Sequence, residues 1–229
     1  MTNRPVALVT GATRGIGRAI AAELSSTHRI LVGGRNAALA GAVAAELGDA
    51  APFVCDLTDE EEIAAACRGI EHVEVLVHSA GIGRSNDIAV ASRALWREVF
   101  ETNVFAVADL TRILLPALEA ARGIVITINS GAGFFSSPGG GVYAGSKFAL
   151  RALTDALREE VRGKVRVCSI HPGRTDTDMQ RELQAAMGND HYDGTRYVAP
   201  ESVAAAARLA VDTPENATVE QLSIRPSVF

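Results

Sequence analysis

The chain has 229 residues, 48% of them hydrophobic, and sets 22 Lys and Arg against 27 Asp and Glu, a formal net charge of −5. This length and apolar content suffice for one substantial core, so a single domain over 1–229 is expected. The mild acidity argues against a general attraction to nucleic acid or to anionic membranes, and no apolar run reaches the roughly 20 residues that span a bilayer.

Cys55, Cys67 and Cys168 are odd in number and widely separated, and two of them lie in apolar strand-like runs. Buried thiols in a reducing, cytoplasmic setting are therefore expected in preference to disulfides. The three cysteines and five histidines form no compact ligand motif, so no metal is expected. The N-terminus enters a strand-like run at once and lacks a signal-peptide arrangement.

Along the chain, VALVT is a short apolar run, GATRGIG a glycine-rich turn, and RAIAAELSS a helical continuation. RILVG supplies a second strand, a helix begins near Asn36, and a third strand lies around PFVCD. Thr58 and Glu61 have capping-box spacing, which predicts a helix over 59–68. VEVLVHSAG is a fourth strand with its turn. Residues 92–119 have the length and period of one long helix, with Pro116 placed to bend or stop it.

GIVITINS is the fifth strand, a glycine-rich loop leads to Gly141, and 142–161 form the next helix. VRVCSIHPG is the sixth strand and its exit. A polar segment of unassigned local structure then leads to Pro200, followed by a helix over 203–211 and a seventh strand in TVEQLSI. This alternation, with near-continuous apolar strands, predicts an α/β fold: a doubly wound parallel sheet flanked by helices, with a crevice above the strand C-termini. The segment 176–200 is placed to cover a ligand there, the plain alternative being a surface excursion.

TGATRGIG puts Gly11, Gly15 and Gly17 between a strand and a helix, where backbone can approach a pyrophosphate and helix amides can meet it. The alternative is a tight crossover that needs small residues. Arg14 inside the turn and Arg35 after the second strand suit a ribose phosphate, and Gly34 stands where an NAD-selective site commonly keeps an acid. NADP(H) is thus favoured over NAD(H), against the alternative of two solvent-facing arginines. Asp56 either accepts a hydrogen bond from an adenine amino group, with Leu57 beside the ring, or caps the next helix. Tyr143 and Lys147 stand four apart on one helix face, where an ammonium is expected to lower the pKa of a neighbouring phenol from its ordinary value of about 10.

Taken in order over 10–179, TGATRGIG, CDLTD, HSAG, TNV, INS, YAGSK and HPGRTDTDM resemble the short-chain dehydrogenase/reductase family in its classical form, with TGxxxGIG and YxxxK motifs. The resemblance covers nearly the whole chain. It implies a Rossmann-like sheet of seven strands and hydride exchange between a nicotinamide and a small or medium carbonyl or secondary alcohol.

The same resemblance implies a catalytic set of Asn103, Ser130, Tyr143 and Lys147. In it Ser130 orients the carbonyl and Tyr143 is the general acid or base. Lys147 grips the nicotinamide ribose, and Asn103 helps hold a proton-relaying water. The implied cofactor contacts are Gly11, Thr13, Arg14, Gly15, Ile16, Gly17, Arg35, Asp56, Leu57, Ser79, Ala80, Gly81, Tyr143, Lys147, Pro172, Gly173 and Thr177. One departure is Ser79-Ala80-Gly81 where the family usually has NAG, because serine lacks the two-ended hydrogen bonding of asparagine.

Phe134 and Phe135 beyond Ser130, and Tyr192 in the covering segment, suggest with Ser130 and Tyr143 a site for an apolar or aromatic carbonyl. The alternative for the phenylalanines is a core or interface place. His171 reads as a residue that shapes the backbone. The family raises the expectation of a homodimer or homotetramer through the helices over 92–119 and 142–161. The chief rival is a noncatalytic NADP-binding regulatory or structural protein that kept the fold.

Overall fold

The computed structural model describes residues 4–186, 188–189 and 191–227. In chain order the elements begin β1 (Val6–Val9), α1 (Gly15–Leu24), β2 (Arg29–Gly34), α2 (Ala37–Leu47), β3 (Ala50–Val54), α3 (Glu60–Ala66) and β4 (Val75–His78). They continue with α4 (Arg93–Phe100), α5 (Ala106–Ala121), β5 (Ile124–Ile128), α6 (Gly141–Glu160), β6 (Arg166–Pro172), α7 (Asp178–Ala186), α8 (Pro200–Asp212) and β7 (Gln221–Ile224). The seven strands form one sheet in the order β3-β2-β1-β4-β5-β6-β7, and every pairing is parallel. The expected doubly wound α/β fold is thus present.

Because side chains alternate across a strand, each central strand feeds two cores. Leu8, Leu76, Val125 and Val167 point to the side covered by α3, α5 and α6, where Ile63, Leu110, Leu114 and Leu118 meet them. Their neighbours Val9, Val77, Ile126 and Cys168 point to the other side, against Ile20 and Leu24 of α1 and Val203 and Ala207 of α8. Covering both faces leaves the strand ends as the place for a crevice, and the order reverses between β1 and β4.

Several local expectations change. Asp59, not Thr58, caps α3: its carboxylate accepts from the Glu61 and Glu62 amides at 2.9 and 3.0 Å. Thr58 instead donates through its amide and hydroxyl to Asp56 Oδ1, at 2.9 and 2.8 Å, so Asp56 shapes the turn before the helix and does not cap it. The helix expected over 92–119 starts as predicted, with the Ser92 side chain accepting from the Leu95 amide. It then passes through a π turn, Glu101–Phe105, before α5. Pro116 lies inside α5, which runs on to Ala121. The segment after β6 holds α7 and a 3-10 turn, Gly194–Arg196.

The three cysteines are free and buried, and no helix among the described residues is long and apolar enough to cross a membrane.

Candidate active site

The turn after β1 is built around absent side chains. Gly11 has φ of +64°, and a β-carbon there would lie 2.8 Å from Ala80 Cα; one on Gly17 would collide with the Gly11 carbonyl oxygen. Only glycine lets these three backbone segments close up. The N-cap of α1, Arg14, makes no side-chain capping bond, so the first-turn amides stay available to an anion.

Thr10, which sequence reasoning passed over, ties this turn to the end of β4. Its hydroxyl accepts from the Ser79 and Ala80 amides, both at 3.1 Å, and donates to Val77 O at 3.3 Å. Rigidity at Ser79-Ala80-Gly81 therefore comes from Thr10, and the departure from asparagine at 79 leaves the turn pinned.

A cavity of about 610 Å³ runs from the glycine turn to Tyr143 and Lys147, a size typical of small-molecule sites. Every sequence-predicted cofactor residue lines it except Pro172 and Gly173. Those two end β6, where the Gly173 amide donates to Ile224 O at 2.7 Å. At one end of the cavity Arg35 is 79% exposed and 3.9 Å from Asp56. Arg14 lies 3.9 Å from Asp178 and 3.8 Å from Glu182. Such long, exposed pairs contribute little, which leaves both guanidinium groups open to a phosphate. The Thr58 amide and hydroxyl, and then Arg35, hold the Asp56 carboxyl below its ordinary range.

At the other end, α6 presents Tyr143 and Lys147. Lys147 is 5% exposed and donates to Ile128 O at 3.0 Å. Burial draws its pKa down to about 8. Its ammonium stands 5.7 Å from the centre of the Tyr143 ring. Burial raises the phenol's pKa, opposed by a hydrogen bond with the Ser130 side chain. The expected downward shift is thus reversed, because desolvation of a phenolate outweighs the help it receives.

Asn103 sits in the π turn, 1% exposed, and does not line the cavity. Its Oδ1 accepts from the Ile82 amide at 2.9 Å, and its Nδ2 donates to Ile82 O and Ser146 Oγ, both at 3.0 Å. The side chain thereby joins the loop after β4 to α6. Asn129, missed by sequence reasoning, plays a parallel part: its Oδ1 accepts from the Ser130 amide at 2.8 Å and its Nδ2 donates to Lys147 O at 3.2 Å. A polar residue closing an apolar strand was the available signal.

The three aromatic substrate candidates lie outside the cavity lining. The Phe134 ring packs 4.4 Å from that of His171, Phe135 is 61% exposed, and the Tyr192 hydroxyl donates to Asp176 at 2.9 Å while its ring stacks on Tyr197. Met179 of α7 lines the cavity instead. A β-carbon on Gly83 would lie 3.4 Å from Met179 Sδ and 3.5 Å from Leu183 Cδ1, so α7 rests on the loop after β4. Among the described residues, no group of three His, Cys, Asp or Glu side chains is placed to hold a metal ion.

Comparison with known proteins agrees with this geometry. The family model described as short chain dehydrogenase matches residues 5–188. A serine 3-dehydrogenase of Agrobacterium fabrum is 33% identical over 96% of this chain and 92% of that protein. Among solved structures, an alcohol dehydrogenase from the archaeon Thermococcus sibiricus, complexed with 5-hydroxy-NADP, superposes with a TM-score of 0.88 at 26% identity, covering 98% of this chain and 97% of that one. A metagenomic short-chain oxidoreductase in complex with NADP gives a TM-score of 0.83 at 30% identity, over 98% of each chain. A glycine cradle pinned by Thr10, a serine meeting a tyrosine, and a lysine one turn further on thus sit in a chain that belongs to the short-chain dehydrogenase family.

Proposed function

We propose that the protein is an NADP(H)-dependent oxidoreductase acting on a small or medium carbonyl or secondary alcohol, with Tyr143 as general acid and base. The observation that carries this reading is one continuous cavity with Arg14 and Arg35 at one end and Tyr143 and Lys147 at the other. The NADP carried by related solved structures supports the cofactor choice. The glycine cradle fits a pyrophosphate, since its β-carbons would fill the space the backbone leaves.

Bound NADPH would supply the hydride. The Ser130 hydroxyl orients the carbonyl oxygen, and Tyr143 gives its phenolic proton to the alkoxide as it develops. A hydrogen bond to Ser130 and the nearby Lys147 ammonium stabilise the phenolate left behind, and in the reverse direction that phenolate takes the alcohol proton. Lys147, held by Ile128 O, would also hold the nicotinamide ribose hydroxyls.

The test is a panel of aldehydes and ketones assayed with NADPH and NADH, on the wild type and Tyr143→Phe. The substitution is expected to abolish reduction while NADPH fluorescence titration shows unchanged binding. Wild-type turnover by Tyr143→Phe would refute the assignment.

A further inference from the structure

Behind Ser130 a line of buried polar side chains crosses the sheet. His171 Nδ1 lies 3.1 Å from the Ser130 carbonyl oxygen, and its Nε2 lies 2.9 Å from the Ser169 hydroxyl. The Thr127 hydroxyl donates to Ser169 at 3.3 Å and sits 3.2 Å from that of Thr154, which donates to Leu150 O at 2.8 Å. His171, Ser169, Thr127 and Thr154 are each 0 or 1% exposed.

Hydrogen accounting orients this line. A carbonyl oxygen only accepts, so Nδ1 must carry the hydrogen; in a neutral imidazole Nε2 then accepts, and Ser169 must donate to it. Burial, aided by the Arg151 and Arg225 cations and opposed by the Ser130 carbonyl and Asp155, lowers the His171 pKa and keeps the ring neutral. The Phe134 ring against the imidazole, with the Arg151 guanidinium 4.7 Å above that ring, blocks a change of plane.

Ser130 is held from several directions. Its amide donates to Asn129 at 2.8 Å, its hydroxyl accepts from the Ala132 amide at 3.1 Å, and its carbonyl accepts from the Gly133 amide at 3.0 Å. All of these partners lie within three residues of it in sequence. The imidazole adds a tether from β6, a separate strand of the sheet.

We propose that His171 is a positioning residue, which holds Ser130 against Tyr143 through its Nδ1–H, with Ser169 donating to Nε2 and so supporting the tautomer that the Ser130 carbonyl selects. This deepens the functional reading above and rests on the Ser130–Tyr143 pair being the reacting pair. An imidazole in the opposite tautomer would set a lone pair against the Ser130 carbonyl and push the serine away.

The experiment compares His171→Leu, His171→Asn and Ser169→Ala, with NADPH and 4-nitrobenzaldehyde as the probe carbonyl. Asparagine keeps an N–H donor near the place of Nδ1. His171→Leu is expected to lower kcat about tenfold with KM for NADPH unchanged, and His171→Asn to restore most of it. Ser169→Ala should lower kcat in the wild-type background and add nothing to His171→Asn, because its effect passes through the imidazole. Nitrogen-15 NMR of the His171 ring, which needs no turnover, should show the Nδ1–H form in the wild type.

An Nε2–H tautomer in the wild type, or wild-type kcat in His171→Leu, overturns the proposal. So do equal losses in the leucine and asparagine variants with a lowered Tm, which mark simple packing. Tyr143→Phe is the control: if it turns over normally, the underlying reading has failed, whereas an inactive Tyr143→Phe beside an unaffected His171→Leu rejects His171 alone.

Discussion

The Thr13 methyl occupies the space that any side chain on Gly34 would need: an added β-carbon would stand 2.8 Å from Thr13 Cγ2. Gly34 ends β2 at the rim of the cavity, so an acid there would meet a steric obstacle as well as repel a ribose phosphate. Gly34→Asp is expected to raise the KM for NADPH about 100-fold. It should give no gain with NADH until Thr13→Ala is added. Improved NADH use in the single variant would show that Thr13 moves aside freely.

Arg35 should discriminate between the two cofactors. Arg35→Ala is expected to raise the KM for NADPH by about 10- to 100-fold, the scale of a lost charge-assisted phosphate contact, and to leave that for NADH nearly unchanged. Steady-state kinetics with both nucleotides decides the matter, since equal effects would place Arg35 outside the phosphate site.

Lys147 makes stability depend on pH in a definite direction. It loses its proton near pH 8 when folded, against an ordinary 10.5. Below pH 8 both states carry the proton, and the buried charge opposes folding in full. Between pH 8 and 10.5 the unfolded chain binds the extra proton, so the contribution of this group to stability rises with pH. In urea unfolding without nucleotide, Lys147→Met is therefore expected to be more stable than wild type by about 1 to 3 kcal/mol at pH 7. That margin should shrink toward pH 10, and a margin that grows with pH would contradict the burial argument.

Gly17→Ala tests the cradle. A methyl there meets backbone, with the Gly11 carbonyl carbon only 2.8 Å away, and backbone cannot swing aside as a side chain can. The expected loss is about 1 to 3 kcal/mol in urea unfolding, together with loss of NADPH fluorescence enhancement. Unchanged nucleotide affinity would mean that the turn has slack.

The strands and the glycine turn were legible because both follow from short-range rules: apolar runs of strand length, and glycine where backbone must approach backbone. The cap of α3 was misplaced by one residue because Asp56, Thr58 and Asp59 all offer capping oxygens. The choice falls on the residue whose backbone turns extended, Asp59 at φ −119°. Thr10 and Asn129 escaped notice because several of their partners are backbone groups distant in sequence, which no local pattern marks. The surroundings of the aromatic residues were illegible for a related reason: composition shows that Phe134 and Tyr192 are bulky, but His171, Asp176 and Tyr197 decide where they face.

The π turn at Glu101–Phe105 sets the rotational phase between α4 and α5. A π turn holds one residue more than an α-helical turn, so removing a single residue from that stretch would restore ordinary helical winding and leave α5 close to its present phase. Leu110, Leu114 and Leu118 would keep the core they now fill, whereas Asn103 would lose the place from which it reaches Ile82. The extra residue therefore serves the site more than the core: a deletion within those five positions should leave the helix packed on the sheet and cost the Asn103 link between the loop after β4 and α6.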